Sequence, residues 1–445
     1  MKSIGIDIGT TSLSAVVMDI DTGRVERAWT VPNPGFLPTN HPWERVQDAD
    51  GAVRAARALL DGILDAHADV AAIGLTGQMH GIVYLDGAGR ALGPLITWQD
   101  MRALQPGEDG QSVVDAVAAR FGAKVFGGYG LMSHLHNLRK GRVPKGARQV
   151  ATVADYLGMA LTGATRPRLH ASNAASLGLY DPATQAWRRD ILRAFGEPGG
   201  ILPEVVNRFQ TVGSYRGVPV GVAIGDNQAA FLGCVDDADS RILLNVGTGG
   251  QVSLLSEQPL EAEEIETRPF NEECFLIAGT SLCGGRAYAL LAAFFAECAR
   301  GFGCATPDPY AAMARFLEKP READPMRVDT AFDGTREHPA RRGSIENLGA
   351  GNFTPWGLTR GVLEGMAREL FERYRTISDG VGLRRAGIVA SGNGMRRNPA
   401  LQQIASEMFG MPLALSPTAE EAARGAALSA ASAVGLTDWR QVLGL

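Results

Sequence analysis

The stretch Ile4-Gly5-Ile6-Asp7-Ile8-Gly9-Thr10-Thr11-Ser12 reads as an apolar strand, a Gly/Thr-rich turn and the start of a second strand. Halfway along the chain, Leu243-Leu244-Asn245-Val246-Gly247-Thr248-Gly249-Gly250-Gln251 repeats the plan. Glycine lets a ligand approach the backbone, and free amides and hydroxyls suit a phosphate. One such turn is a weak signal. Two, early in each half, imply a duplicated fold with a phosphate gripped between the copies.

The rest of the chain fits two halves. Its 445 residues exceed one hydrophobic core and suggest about two domains, 1–235 and 236–445, divided at the polar break Asp236-Asp237-Ala238-Asp239. With 45% hydrophobic and 20% charged residues, the composition is that of a soluble globular protein. The net charge of −5, with only isolated pairs such as Arg341-Arg342 and Arg396-Arg397, argues against a nucleic-acid partner. No apolar run reaches the roughly 18 residues of a membrane helix, so no membrane partner is expected. The chain enters a strand at once, and its five cysteines form no Cys-x-x-Cys pair. A cytoplasmic protein with reduced thiols is therefore expected.

Hydrophobic periodicity predicts strands at 2–8, 13–20 and 24–31, a helix at 49–66, and a strand at 70–76 ending in Gly77-Gln78-Met79-His80-Gly81. A strand pair at 82–85 and 91–98 and a helix at 152–161 follow. A buried strand at 218–224 runs into Gly225-Asp226-Asn227-Gln228. In the second half, strands at 241–246 and 252–255 flank the turn, and a third lies at 275–278. Helices at 287–299 and 358–377 precede a strand at 388–390, which ends in Ser391-Gly392-Asn393-Gly394. Helices at 398–409 and 419–434 close the half. Each half thus starts with three strands and then alternates helix and strand.

Several positions carry chemistry under one of two readings. Asp7 is either a turn former or a carboxylate that holds a cation at a strand end. Asp226 is either a helix N-cap or a catalytic carboxylate. The Ser391-Gly392-Asn393-Gly394 turn is either a plain strand–helix connection or a place where backbone meets a flat purine. Gln78-Met79-His80 and Trp98-Gln99-Asp100-x-Arg102 put polar and aromatic groups at strand ends, where ligand crevices of α/β proteins lie. The chain has no Gly-x-x-x-x-Gly-Lys-Ser/Thr, Gly-x-Gly-x-x-Gly or His-Glu-x-x-His.

Taken in order, these segments resemble the FGGY carbohydrate kinases over essentially the whole length. The resemblance implies an α/β, two-lobed actin-like fold, a duplicated ribonuclease H-like ATPase and sugar kinase architecture. Within the family the chain looks most like sedoheptulokinases, through Leu95-Ile96-Thr97-Trp98-Gln99-Asp100, Ser172-Asn173-Ala174-Ala175-Ser176 and Cys283-Gly284-Gly285. Xylulokinases share Gln78-Met79-His80.

The resemblance implies ATP and Mg²⁺ as cofactors and a ketose or polyol as partner, and it leaves a homodimer open. Asp226 matches the catalytic base and Asp7 the Mg²⁺-organising carboxylate, with Asp226 beside the metal. Thr10, Thr11, Ser12, Gly247, Thr248 and Gly249 match phosphate-loop positions, and Gly392 and Asn393 the adenosine segment. Gln78, Met79, His80, Trp98 and Asp226 match sugar-pocket positions. Asp100, Arg102 and Tyr129 join them by proximity in sequence. An ATP-binding switch and a non-catalytic sugar sensor on the same fold are the competing readings.

Overall fold

A computed structural model describes residues 1–272, 274–304 and 308–445. They form two compact units that are not simply the two halves of the chain. The first comprises Met1–Asp236, Arg268–Phe275 and Glu420–Leu445, and the second Asp237–Thr267 and Leu276–Ala419.

The first unit contains β1 (Lys2–Ile8), β2 (Ser12–Asp19), β3 (Val25–Pro32), α1 (Ala49–Ala66), β4 (Val70–Gly77), α2 (Val153–Thr162), α3 (Ala171–Ser176), β5 (Thr211–Tyr215), β6 (Val218–Gly221), β7 (Ile224–Gly225) and α4 (Asp226–Cys234). Its sheet runs β5-β6-β4-β1-β2-β3, with β7 paired to the end of β4. β1 pairs antiparallel with β2 and parallel with β4.

The remaining elements begin with β8 (Arg241–Val246), β9 (Gly250–Ser256), β10 (Ile265–Asn271), β11 (Cys274–Ser281) and α5 (Gly284–Gly301). They continue with α6 (Pro355–Val381), β12 (Gly387–Ser391), β13 (Leu413–Leu415) and α7 (Glu421–Ala433). The second sheet runs β10-β11-β9-β8-β12-β13. The order β3-β2-β1-β4-β6 in one sheet therefore recurs as β11-β9-β8-β12-β13 in the other. The duplication inferred from two turns is a repeated strand order, with β10 added at one edge.

Local departures have local causes. The expected strand at 218–224 is broken into β6 and β7. The expected pair at 82–85 and 91–98 keeps only isolated bridges, Ile82 to Ile96 and Leu85 to Ala91. Val83–Leu85 pairs instead with Gln149–Ala151, and Leu95–Ile96 with Val46–Gln47. β10 escapes the periodicity because Glu266, Arg268 and Pro269 interrupt its apolar residues.

The largest departure is α7, the Ala-rich closing helix, which packs in the first unit rather than the second half. Alternation along β1 explains how it fits. Ile4, Ile6 and Ile8 are wholly buried in a core with Leu60, Leu75 and Leu157. Ser3, Gly5 and Asp7 lie on the opposite face. There the Ser3 hydroxyl donates to the Ala427 carbonyl of α7 (2.8 Å). Gly5 and Gly74 stand opposite each other in the β1–β4 register, and a Cβ on either would overlap an α7 carbonyl, Ala423 or Ala426. α7 meets α4 in the same way: Gly425 presses on the Ala229 carbonyl and Gly233 on that of Glu421.

Candidate active site

Parallel strands of the first unit end level with one another. Ile8 faces Gly77, and Gly77 faces Gly225. Asp7, Gln78 and Asp226 therefore lie at one edge of the sheet, at the carboxyl ends of its strands, where open α/β sheets bind ligands.

Asp226 is the first residue of α4, and Gly225 is the N-cap. The helix start uses no side-chain cap, so the N-cap reading of Asp226 is set aside. The backbone before it is anchored, since Gly225 N–H donates to Ser172 Oγ (2.9 Å). The Asn227 side-chain amide donates to Asp226 Oδ1 (2.8 Å) and approaches Met79 Sδ (3.3 Å). Burial pushes the Asp226 pKa up to about 6, while Arg268 and the Asn227 hydrogen bonds pull it down. A carboxylate poised there is mostly ionised at neutral pH and still basic enough to take a proton.

Asp7 is pushed further, to about 7, by burial first and then by the charges of Asp226 and Glu420. Two neighbouring carboxylates resist ionising together, and Asp7 bears the repulsion. Its Oδ1 is enclosed with no hydrogen-bond partner. A divalent cation fits this carboxylate because it would supply both the missing partner and the missing positive charge. Among the described residues no cluster of three or more His, Cys, Asp or Glu could hold a metal by itself. That donor set suits Mg²⁺, which binds through one or two carboxylates, substrate phosphates and water.

The turn after β1 is braced from behind. Asn33 Nδ2 donates to the Gly9 carbonyl (2.6 Å), and Gln47 Nε2 donates to that of Thr10 (2.7 Å). Gln78 Nε2 donates in turn to Gln47 Oε1 (2.8 Å). Trp98 Nε1–H donates to Thr10 Oγ1 (3.0 Å), and the indole remains 40% exposed. Thr11 is exposed, and Ser12 opens β2. The expected phosphate-loop and sugar-side residues are thus joined through Trp98 and Gln78.

His80 has a left-handed backbone, φ 72°. That is strained for a side chain with a Cβ, by about 1–3 kcal/mol, and persists only where the surroundings hold it. Its N–H donates to Ser176 Oγ (3.2 Å), and its Nδ1 lies 2.8 Å from the Ser176 carbonyl. A carbonyl only accepts, so Nδ1 carries the proton. The ring stacks on Tyr129 at 4.8 Å. His80→Gly should leave the melting temperature unchanged or higher, because the strain goes, yet raise KM for the acceptor with little change in KM for the nucleotide. Steady-state kinetics on both substrates checks this.

Asp100 and Arg102 need a correction. Asp100 is wholly buried, and its carboxylate accepts from Arg102 Nε (2.7 Å), Arg102 NH2 (2.8 Å) and the Arg45 backbone N–H (2.9 Å). Arg102 NH1 donates to Asn137 Oδ1 (3.0 Å). Their polar atoms are committed to one another and to the loop that carries Trp98. They support that loop and are not positioned to meet a sugar. Sequence reasoning gave no role of their own to Asn33, Gln47, Asn227, Arg268 and Glu420. Ser172 and Ser176 stood out only within a resemblance segment. A polar run in a short buried helix, Ser172-Asn173 followed by Ser176, was the available signal.

In the second unit, the turn at 247–249 is held by the start of α5. Gly285 N–H donates to the Gly247 carbonyl and Arg286 N–H to that of Thr248, both at 3.0 Å. A Cβ on Gly284 would overlap Gly249, and one on Gly249 would lie 2.7 Å from the Ser281 carbonyl. Thr248 is left exposed. The Ser391–Gly394 turn is the neighbour of this one, because β8 and β12 are parallel with Asn245 opposite Ser391. Asn245 Nδ2 donates to Ser391 Oγ (2.8 Å). Gly392 has φ 83°, and a Cβ there would meet the Val246 carbonyl at 2.5 Å, so only glycine fits. Asn393 is exposed at the start of the helical turn Asn393–Arg396.

Two copies of one sheet order, each with a Gly/Thr turn after its first strand, define the two-domain actin-like fold of sugar kinases. Residues 3–233 match the N-terminal domain of the FGGY family of carbohydrate kinases, and residues 242–434 match its C-terminal domain. The chain belongs to that family and is a carbohydrate kinase. It is 25% identical to the sedoheptulokinase of Mus musculus, over 96% of each chain. It is 30% identical to a glycerol kinase of Leifsonia xyli subsp. xyli, over 55% of this chain and 52% of that one. A xyloylose kinase from Brucella ovis has the same fold, with a TM-score of 0.83 at 23% identity over 100% of this chain and 92% of that one. No helix among the described residues is long and apolar enough to cross a membrane.

Proposed function

We propose that the protein transfers the γ-phosphoryl group of ATP, as its Mg²⁺ complex, to the terminal hydroxyl of a ketose, with sedoheptulose the first candidate. The observation that carries this reading is Asp226, a half-buried carboxylate with a pKa raised to about 6, free of any capping duty. It is held by Asn227 at the same sheet edge as Asp7 and the segment Gln78-Met79-His80. Phosphoryl transfer to an alcohol needs such a group to orient the hydroxyl and accept its proton. A nucleotide switch has no use for it.

In this reading Asp226 takes the hydroxyl proton, while Met79, His80, Trp98 and Tyr129 shape the acceptor pocket. Asp7 would hold the cation, which when bound supplies positive charge to the phosphates. Thr10, Thr11, Ser12 and the turn at 247–249 offer hydroxyls and amides to phosphate, and Gly392 and Asn393 receive the adenosine. The five free cysteines suit a reducing cytoplasm.

Full-length similarity to sedoheptulokinase makes the seven-carbon ketose the first candidate, and glycerol kinases that match the full length at 26–27% identity make a polyol the alternative. Incubation with Mg-ATP and a panel of sedoheptulose, xylulose, ribulose, fructose and glycerol should give the highest kcat/KM for sedoheptulose. A higher value for xylulose or glycerol would move the substrate assignment. No stimulated ADP release from any member would remove the acceptor class.

A further inference from the structure

The first unit holds a cavity of about 370 Å³ that none of the residues discussed above as site residues lines. Its walls include Asp155, Met159 and Thr162 of α2, Arg166, Leu202 and Ala223. The volume falls within the range of small-molecule sites. Asp155 is only 4% exposed, and its Oδ1 is buried without a hydrogen-bond partner. Its Oδ2 accepts from Thr152 Oγ1 (2.6 Å) and Asn173 Nδ2 (3.3 Å). An unpaired buried carboxylate oxygen carries an uncompensated desolvation cost, which a ligand donor would recover. Another lining residue, Arg168, is paired with Glu204 (3.2 Å), whereas Arg166 is exposed and makes no hydrogen bond or ion pair among the described residues.

We propose that this cavity is a second ligand site, taking a small polyhydroxylated anion of the sugar-phosphate class, with hydroxyls on Asp155 and the anionic group on Arg166. Apolar Met159, Leu202 and Ala223 would face the carbon chain. Burial pushes the Asp155 pKa up to about 7, against the hydrogen bonds of Thr152 and Asn173 that lower it. Near neutrality it can accept or donate, as hydroxyls do.

The route from this cavity to the site at the sheet edge is short. Asn173 also donates to the Ala223 carbonyl (3.1 Å), three residues before Asp226. Asn173 lies on α3, the helix whose Ser172 anchors Gly225 and whose Ser176 holds His80. An occupant that pulls on Asp155 therefore bears on both. This coupling rests on the kinase reading above, whereas occupancy of the cavity does not.

Calorimetric titration with sedoheptulose 7-phosphate separates the two. Wild-type protein and Asp226→Asn should share a binding event that Arg166→Glu and Asp155→Asn each weaken at least tenfold. Arg166 is exposed, so its variant reports even if Asp155→Asn fails to fold. Absence of binding to wild type, or binding that Arg166→Glu leaves intact, overturns the site. Inorganic phosphate binding as tightly as the sugar phosphate overturns the polyol assignment. In kinetics, the sugar phosphate should inhibit wild type with a component that excess ketose does not relieve and that Arg166→Glu lacks. Purely competitive inhibition in both overturns the coupling.

Discussion

Asp226→Asn should lower kcat by about 10²–10⁴-fold, the usual contribution of a general base, and leave Mg-ATP affinity essentially unchanged. The substitution keeps the shape of the side chain and removes only its ability to take a proton. The pH profile gives an independent reading of the same group. With a pKa raised to about 6, Asp226 is protonated below that value and cannot act as a base. Wild-type kcat/KM for the ketose should therefore fall as pH drops through about 6, and the residual activity of the variant should lack that limb. Stability moves the opposite way. A carboxylate whose folded pKa is raised makes the folded state bind more protons than the unfolded one between about pH 4 and 6, so stability at this position is lost as pH rises through that window. A neutral Asn does not incur that loss, and the variant should melt no lower than wild type at pH 8. A variant that kept wild-type turnover would remove Asp226 from the base role. One that melted far lower would leave its loss of activity attributable to misfolding.

The positions that were legible in the sequence were those where composition and local geometry coincide. Gly247-Thr248-Gly249-Gly250 had to be a backbone contact because three glycines weaken a strand, and the contact is with α5. Asp7 is a charge at the end of an apolar strand, which costs free energy without a partner, and its Oδ1 has none among the described residues. Sequence proximity misled at Asp100 and Arg102. Nearness to Trp98 marks both as pocket groups, yet a carboxylate and a guanidinium two residues apart satisfy each other instead. Long-range partners could not be read at all. Gln47 reaches Thr10 across 37 residues, and α7 returns to β1 across more than 400. Periodicity identifies α7 as an apolar helix, but only the glycines at Gly5, Gly74 and Gly233 show where it docks. Each of them individually reads as an ordinary weak point in a strand or helix.

That docking predicts a sign that helix propensity alone gets wrong. In an exposed helix interior, Gly→Ala stabilises by about 1 kcal/mol. Gly62, in α1, has nothing within 4 Å of an added Cβ, so Gly62→Ala should raise the melting temperature. Gly425, in α7, presses on α4, and an added methyl would overlap the Ala229 carbonyl. Backbone atoms on both sides leave no flexible side chain to move aside, so relief requires α7 and α4 to separate. Overpacking of this kind costs about 1–3 kcal/mol or more, enough to outweigh the propensity gain. Gly425→Ala should therefore lower the melting temperature of the first unit, in a scan where Gly62→Ala raises it. It should also lower kcat, because α4 carries Asp226 at its first residue and α7 covers the face of β1 that bears Asp7. Two shifts of the same sign would mean that α7 does not dock through its glycines. The placement of both carboxylates would then have to come from the β1–β4–β7 register alone.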